Sequence, residues 1–290
     1  MSKLTASELI VNPDNSIYHL HLLPEQIADD IIVVGDPQRV AIISSYFDKI
    51  EHKVTNREFV THTGYFNGKR ITALATGIGT DNIDIVMNEL DALANIDLIN
   101  RQIKEEKRSL NIVRLGTSGA LQADIPVDSF VFSSYGLGLD GLLNFYAEAP
   151  KVVDEEMTEA FIKACSWKPV LARPYIVKAS KTLEEKIASG MIKGITATAP
   201  GFYAPQGRSL RLELTIENIN DTLRDFRYKN ERITNFEMET SALYGLGSML
   251  GHNTATVCAI IANRYSQTFS EDYKKTVVKL IELVLNRLTS

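Results

Sequence analysis

Ile71-Thr72-Ala73-Leu74-Ala75-Thr76-Gly77-Ile78-Gly79-Thr80-Asp81-Asn82-Ile83-Asp84-Ile85-Val86-Met87-Asn88-Glu89-Leu90 reads as strand, glycine turn and helix in immediate succession. Residues 71–75 form a short apolar run of strand length, and Thr76–Thr80 break it with two glycines. Asp81 then reads as an N-cap with Asp84 in the first turn, and Ile83, Val86, Met87, Leu90 and Leu93 fall on one helical face. The same grammar recurs. Ile31–Val34 stops at Gly35-Asp36-Pro37, and Val40, Ile42, Ile43 and Phe47 follow at helical spacing. Ile112–Leu115 reads as a strand ending at Gly116-Thr117-Ser118-Gly119, Phe130–Phe132 as another, and Ala255–Ile261 as a late buried strand. A closing helix is expected from about Glu271, capped by Ser270 and burying Tyr273, Val277, Leu280, Ile281, Val284 and Leu288. This alternation predicts one α/β domain around a central sheet, spanning residues 1–290.

Composition narrows the function classes. The 290 residues are 44% hydrophobic and 23% charged, enough for a sizeable core. A net charge of −5 argues against a sequence-independent nucleic-acid surface. Cys165 and Cys258 sit in apolar surroundings and suggest no disulfide framework. Residues 1–8 lack a signal-peptide apolar core, and no apolar run is long enough for a bilayer, so a soluble cytoplasmic protein without a membrane partner is expected. The charge-dense Arg101–Arg108 reads as a solvated helix end or loop.

A second stretch, Asn235-Phe236-Glu237-Met238-Glu239-Thr240-Ser241-Ala242-Leu243-Tyr244, sets two carboxylates at a helix start, with Gly251 at its stop. There they can cap N–H groups or accept hydrogen bonds from ligand hydroxyls. Ligands of α/β sheets gather beyond the carboxyl ends of strands, and three such ends carry Gly35 and Arg39, Gly77 and Gly79, and Arg114 with Thr117. Glycines admit an anion to backbone N–H groups, and arginines bind phosphate bidentately. Together they point to a pocket for a small anion. Other signatures fail. There is no Walker A motif, and Gly136-Leu137-Gly138-Leu139-Asp140-Gly141 reads as a chain turn because no helix follows it. His19 and His21 alternate on a possible strand, but the five histidines show no metal-ligand spacing, so no metal is expected.

Tyr18-His19-Leu20, Gly35-Asp36-Pro37-Gln38-Arg39, Arg57-Glu58-Phe59, Thr76-Gly77-Ile78-Gly79, Arg114-Leu115-Gly116-Thr117-Ser118-Gly119 and Glu237-Met238-Glu239 occur in the order found in nucleoside phosphorylases of the trimeric and hexameric type. The chain resembles that superfamily from about residue 18 onward. Gly201-Phe202-Tyr203-Ala204-Pro205-Gln206-Gly207-Arg208 resembles its uridine phosphorylase branch, and Ile260-Ile261-Ala262-Asn263-Arg264 lacks the acid usual in purine-specific relatives.

The resemblance implies a three-layer α/β/α fold with a mixed sheet, and a pentosyltransferase reaction: reversible phosphorolysis of uridine to uracil and ribose 1-phosphate. It implies phosphate held by Gly35, Arg39, Arg114 and Thr117, with Arg57 reaching in from a neighbouring subunit. It places the ribose on Met238 and Glu239, with a neighbour's His19 at the 5′-hydroxyl. It places the base among Phe202, Gln206, Arg208 and Phe236, with Glu237 supporting. Gln206, Arg208, Arg114 and Glu239 carry the chemistry in that scheme. No organic cofactor is implied, phosphate being a co-substrate. An interface monovalent cation near Glu58 is put in question by Asn82, where relatives carry Ser. Shared sites imply a homo-oligomer, a dimer or a hexamer built as a trimer of dimers. Purine phosphorolysis and hydrolysis of the nucleoside are the rival reactions. The residues agree with the leading one: an amide can both donate and accept at a uracil edge, and a guanidinium can stabilise the leaving base.

Overall fold

The computed structural model describes residues 3–290. In chain order the first elements are β1 (Asp30–Val34), α1 (Pro37–Ser44), β2 (Lys49–Asn56), β3 (Phe59–Phe66), β4 (Lys69–Ala75) and α2 (Thr80–Asn95). A small hairpin, β5 (Ile96–Asp97) and β6 (Gln102–Ile103), leads to β7 (Asn111–Ala120), β8 (Phe130–Gly138), α3 (Glu155–Ala164) and β9 (Tyr175–Lys178). Then come α4 (Lys181–Ile187), β10 (Ile192–Thr198), α5 (Ile219–Asp225), β11 (Arg227–Tyr228) and β12 (Glu231–Glu237). The chain closes with α6 (Thr240–Leu250), β13 (Asn253–Asn263), β14 (Thr268–Phe269) and α7 (Tyr273–Thr289).

The expected α/β architecture with a mixed central sheet is present. The main sheet runs β11-β12-β10-β8-β13-β7-β1-β4-β3-β2, with β9 added to β8 and β14 to β13. Strand β12 also pairs with β7 through Asn235–Ala120 and Phe236–Gly119, so β7, β13, β8, β10 and β12 close into a ring. That closure brings the ends of β7 and β12 together, although they lie far apart in sequence. Val33, Leu74 and Val113 lie on neighbouring parallel strands and are fully buried, as an internal parallel sheet requires.

Several local expectations are corrected. Gly116–Gly119 do not end a strand; β7 runs through them. A Cβ on Gly116 would lie 2.2 Å from Arg114 Nη1, and one on Gly119 would lie 3.2 Å from Arg264 Nε. The small residues make room for guanidinium groups lying on the strand. Likewise Gly136 lies within β8 and Gly138 is its last residue rather than part of a turn, and a Cβ on Gly138 would strike the Tyr175 ring. Helix α2 starts two residues earlier than expected: Gly79, at φ 97°, is its N-cap and Asp81 lies in the first turn. Helix α7 is capped by Asp272, whose carboxylate accepts from Lys275 N–H, rather than by Ser270. His19 and His21 sit in a turn, with His21 at φ 55°, so their side chains do not alternate on a strand. Arg101 turns the β5–β6 hairpin and bonds back to the carbonyl of Leu9, so the charged stretch braces the N-terminal segment instead of only meeting solvent. Both cysteines are unpaired. Among the described residues no helix is long and apolar enough to cross a membrane.

Candidate active site

A cleft of about 560 Å³ opens beyond the carboxyl ends of β1, β4, β7, β10, β12 and β13. This is where an α/β sheet places ligands, because diverging loops leave space there. Two clusters of guanidinium groups face it, one built on β1 and β7 and the other on the loop after β10 and the end of β13.

The first cluster begins at the β1–α1 turn. Asp36 caps α1 by accepting from Gln38 N–H at 2.9 Å, and Arg39 follows on the first turn. Burial pulls the Arg39 guanidinium below its ordinary pKa; Asp36 offsets part of this, and the charge of Arg114 adds to it. Arg114 comes from the middle of β7 and is 5% exposed. Burial alone would depress it too, but Glu239 and Glu237 reverse the effect and hold it firmly cationic. Its Nη1 lies 3.0 Å from Glu237, and its Nη2 donates to Glu239. Two partly desolvated cations repelling each other across a cleft are relieved by an anion placed between them. Thr117, Ser118 and Gly35 line the same end.

The two carboxylates divide the roles that one reading of the sequence had left open. Glu237 is the structural cap: its oxygens accept from Glu239 N–H at 3.0 Å, from Thr240 N–H at 3.1 Å and from the Thr198 hydroxyl at 2.7 Å. Glu239 accepts from Gly79 N–H at 2.9 Å as well as from Arg114. The glycine turn after β4 thus fixes one carboxylate oxygen and leaves Met238 and Glu239 on the cleft wall.

The second cluster forms another part of the cleft wall. Arg208 stacks over Phe202, its guanidinium carbon 3.8 Å from the ring centroid, and donates to Gln206 Oε1 at 2.8 Å. Arg264, at the end of β13, donates to the same Oε1 and to the Gln206 carbonyl, each at 2.6 Å. Burial and the neighbouring Arg208 lower the Arg264 guanidinium to about 10. With its amide oxygen held by two guanidinium groups, Gln206 has its amide nitrogen left as a donor; among the described residues that nitrogen has no protein acceptor. Phe236 lies beside Arg264 and lines the cleft with Phe202.

The chain therefore brings together Gly35, Arg39, Arg114, Thr117, Phe202, Gln206, Arg208, Phe236, Glu237, Met238 and Glu239, as the sequence suggested. It does not bring Arg57 or His19 to its own cleft. They stand together elsewhere: the Arg57 guanidinium lies over the Tyr18 ring at 5.5 Å, and the adjacent Asn56 donates to the His19 carbonyl at 2.8 Å. Arg264 was not foreseen as a cleft residue. An isolated arginine after a buried strand carries no local pattern; only its approach to Gly119 and Gln206 reveals it.

A family model described as the phosphorylase superfamily matches residues 29–289. The chain belongs to this superfamily. Among curated superfamily members, a uridine phosphorylase from Thermococcus kodakarensis is 29% identical over 280 residues, covering 95% of this chain and 87% of the relative. A uridine phosphorylase from Haemophilus influenzae is 28% identical over 278 residues, covering 93% and 96%. The solved structure of a Trypanosoma brucei nucleoside phosphorylase that shows uridine phosphorylase activity aligns with a TM-score of 0.88 at 29% identity, over 97% of this chain and 99% of that one. The paired arginines of the first cluster suit an anionic ligand.

Proposed function

We propose that this phosphorylase cleaves uridine with phosphate, giving uracil and ribose 1-phosphate, and runs reversibly. Phosphate is gripped by Arg39, Arg114, Thr117 and the Gly35 backbone. One of its oxygens bonds to C1′ as the C1′–N1 bond breaks, and the electron pair of that bond leaves with uracil. The negative charge spreads over the two uracil carbonyls, which Gln206 and Arg208 face with donors while Arg264 adds positive charge. Glu239 and Met238 hold the ribose, where a carboxylate also favours the positive charge that develops on the sugar. Orientation and fixed charge supply the rate, so phosphate is a co-substrate and no organic cofactor enters the scheme.

The observation that carries this reading is Gln206 held between Arg208 and Arg264 in the same cleft as the Arg39–Arg114 pair. Donors without an acid suit a pyrimidine with two carbonyls. Because Arg57 and His19 do not line their own cleft, we place them in a neighbour's, which makes the working enzyme a homo-oligomer with shared sites, and we place that enzyme in the cytoplasm. The test is a panel of uridine, deoxyuridine, thymidine and inosine with and without phosphate. Uridine should be consumed only with phosphate. Equal rates without phosphate would establish hydrolysis, and preference for inosine would establish a purine enzyme.

A further inference from the structure

Glu89 lies on α2 and is not among the groups that line the cleft. Its carboxylate takes two backbone N–H groups, in three contacts, from one short segment of another part of the chain. His19 N–H donates at 2.9 Å to Oε1 and 3.1 Å to Oε2, and Leu20 N–H donates to Oε2 at 2.7 Å. The His19 ring adds a contact from Nδ1 to Oε1 at 2.7 Å. A carboxylate only accepts, so Nδ1 is the protonated ring nitrogen in this contact. The Glu89 side chain is 12% exposed and that of His19 26%. One edge of the imidazole is therefore locked, and the other is presented outward.

Such an arrangement exceeds what a turn needs. The turn is already tied by Asn56 to the His19 carbonyl and by His21 N–H to the Ile17 carbonyl. The segment ahead of it is anchored by Leu4 N–H on the Arg101 carbonyl and by the Arg101 guanidinium on the Leu9 carbonyl. Glu89 adds tautomer control. With the proton fixed on Nδ1, neutral imidazole offers Nε2 as an acceptor, and a hydroxyl hydrogen is its natural partner.

We propose that Glu89 is a positioning residue for His19, holding Nε2 toward the 5′-hydroxyl of a nucleoside bound in the partner's cleft. This rests on the reading above that His19 serves a neighbour's ribose. Helix α2 then carries both controls of the ribose: Gly79 at its start fixes Glu239 of the same chain, and Glu89 further along aims His19 at the partner's sugar.

The test compares uridine with 5′-deoxyuridine at saturating phosphate in the full oligomer. Glu89→Gln keeps the shape and removes the charge. It should lower kcat/KM for uridine about tenfold, the upper worth of one neutral hydrogen bond, and leave 5′-deoxyuridine unchanged. His19→Ala should do the same, and the double variant should lose no more than either single one. Glu89→Asp, which keeps a charged carboxylate, should retain more of the uridine rate than Glu89→Gln. Equal losses on both nucleosides, from whatever cause, would reduce Glu89 to fold support and overturn the proposal. So would an unchanged uridine rate in Glu89→Gln. If His19→Ala spares uridine, the ribose role of His19 falls and takes this proposal with it, while phosphorolysis by the unaltered enzyme stands. If the unaltered enzyme leaves uridine intact, the assigned activity itself is what fails.

Discussion

Replacing Arg114 by Met should separate two tasks that this side chain performs at once. Arg114 is buried and is the cationic partner of Glu237 and Glu239, both of which are also buried. Removing one partner of such a cluster strands charge in a low-dielectric site, which typically costs ~3–5 kcal/mol. Met fills much of the vacated volume, so the loss is electrostatic rather than a cavity. For a chain of 290 residues, an unfolding entropy near ~2.1 cal/mol/K per residue gives about 0.6 kcal/mol per degree at the midpoint. The expected fall in Tm is therefore roughly 5–8 °C. Adding Glu239→Gln removes one of the stranded charges and should recover roughly half of the loss, because the two sites are in contact and their effects are not additive. Glu237 keeps its donors from Thr198 and Thr240 throughout. Arg39→Ala is the control: Arg39 feels the charge of the helix-capping Asp36 and forms no ion pair among the described residues, so its loss should raise the phosphate KM with little change in Tm. Thermal unfolding by far-ultraviolet circular dichroism, with phosphate kinetics on the same samples, reads all four proteins. A Tm shift under about 2 °C for Arg114→Met, or a second substitution that adds to the loss, would refute the reasoning.

Other outcomes follow from the same geometry. Arg208→Ala removes a donor to the departing base and should slow turnover by roughly 100-fold while sparing the phosphate KM; normal turnover would remove Arg208 from that role. Arg264→Ala frees the Gln206 amide oxygen from one of its two guanidinium partners, and should raise the uridine KM and slow turnover by about tenfold, less than Arg208→Ala; an effect as large as that of Arg208→Ala would argue that Arg264 meets the base itself. Gly116→Ala sets a methyl group 2.2 Å from the present position of Arg114 Nη1, so the guanidinium must turn. It should raise the phosphate KM, and a normal value would show that the guanidinium adapts without cost.

The parts of the fold that were legible in sequence are those set by local pattern. The β-branched run before Gly35-Asp36-Pro37, the glycines before α2 and the acidic pair before α6 each announce their element, because burial period and capping act within a few residues. What escaped depends on partners distant in sequence. Gly116 and Gly119 look like a turn until Arg114 and Arg264 are seen lying over the strand. The closure of β7 on β12 joins residues more than one hundred positions apart, and no local signal encodes it. The ion pair of Arg114 with Glu239 crosses the same junction, so the sequence suggests a phosphate ligand in one and a ribose ligand in the other but not that they are bonded to each other. The hairpin at Arg101 read as solvated because its charges are local, whereas its job, holding the carbonyl of Leu9, is not.

The most direct test of the central claim is the fate of phosphate during turnover. Uridine is incubated with radiolabelled phosphate, and the products are separated. Label should appear in ribose 1-phosphate, one equivalent for each uracil released. Uracil released with all the label still inorganic would contradict the account, because the paired arginines would then be serving some other anion.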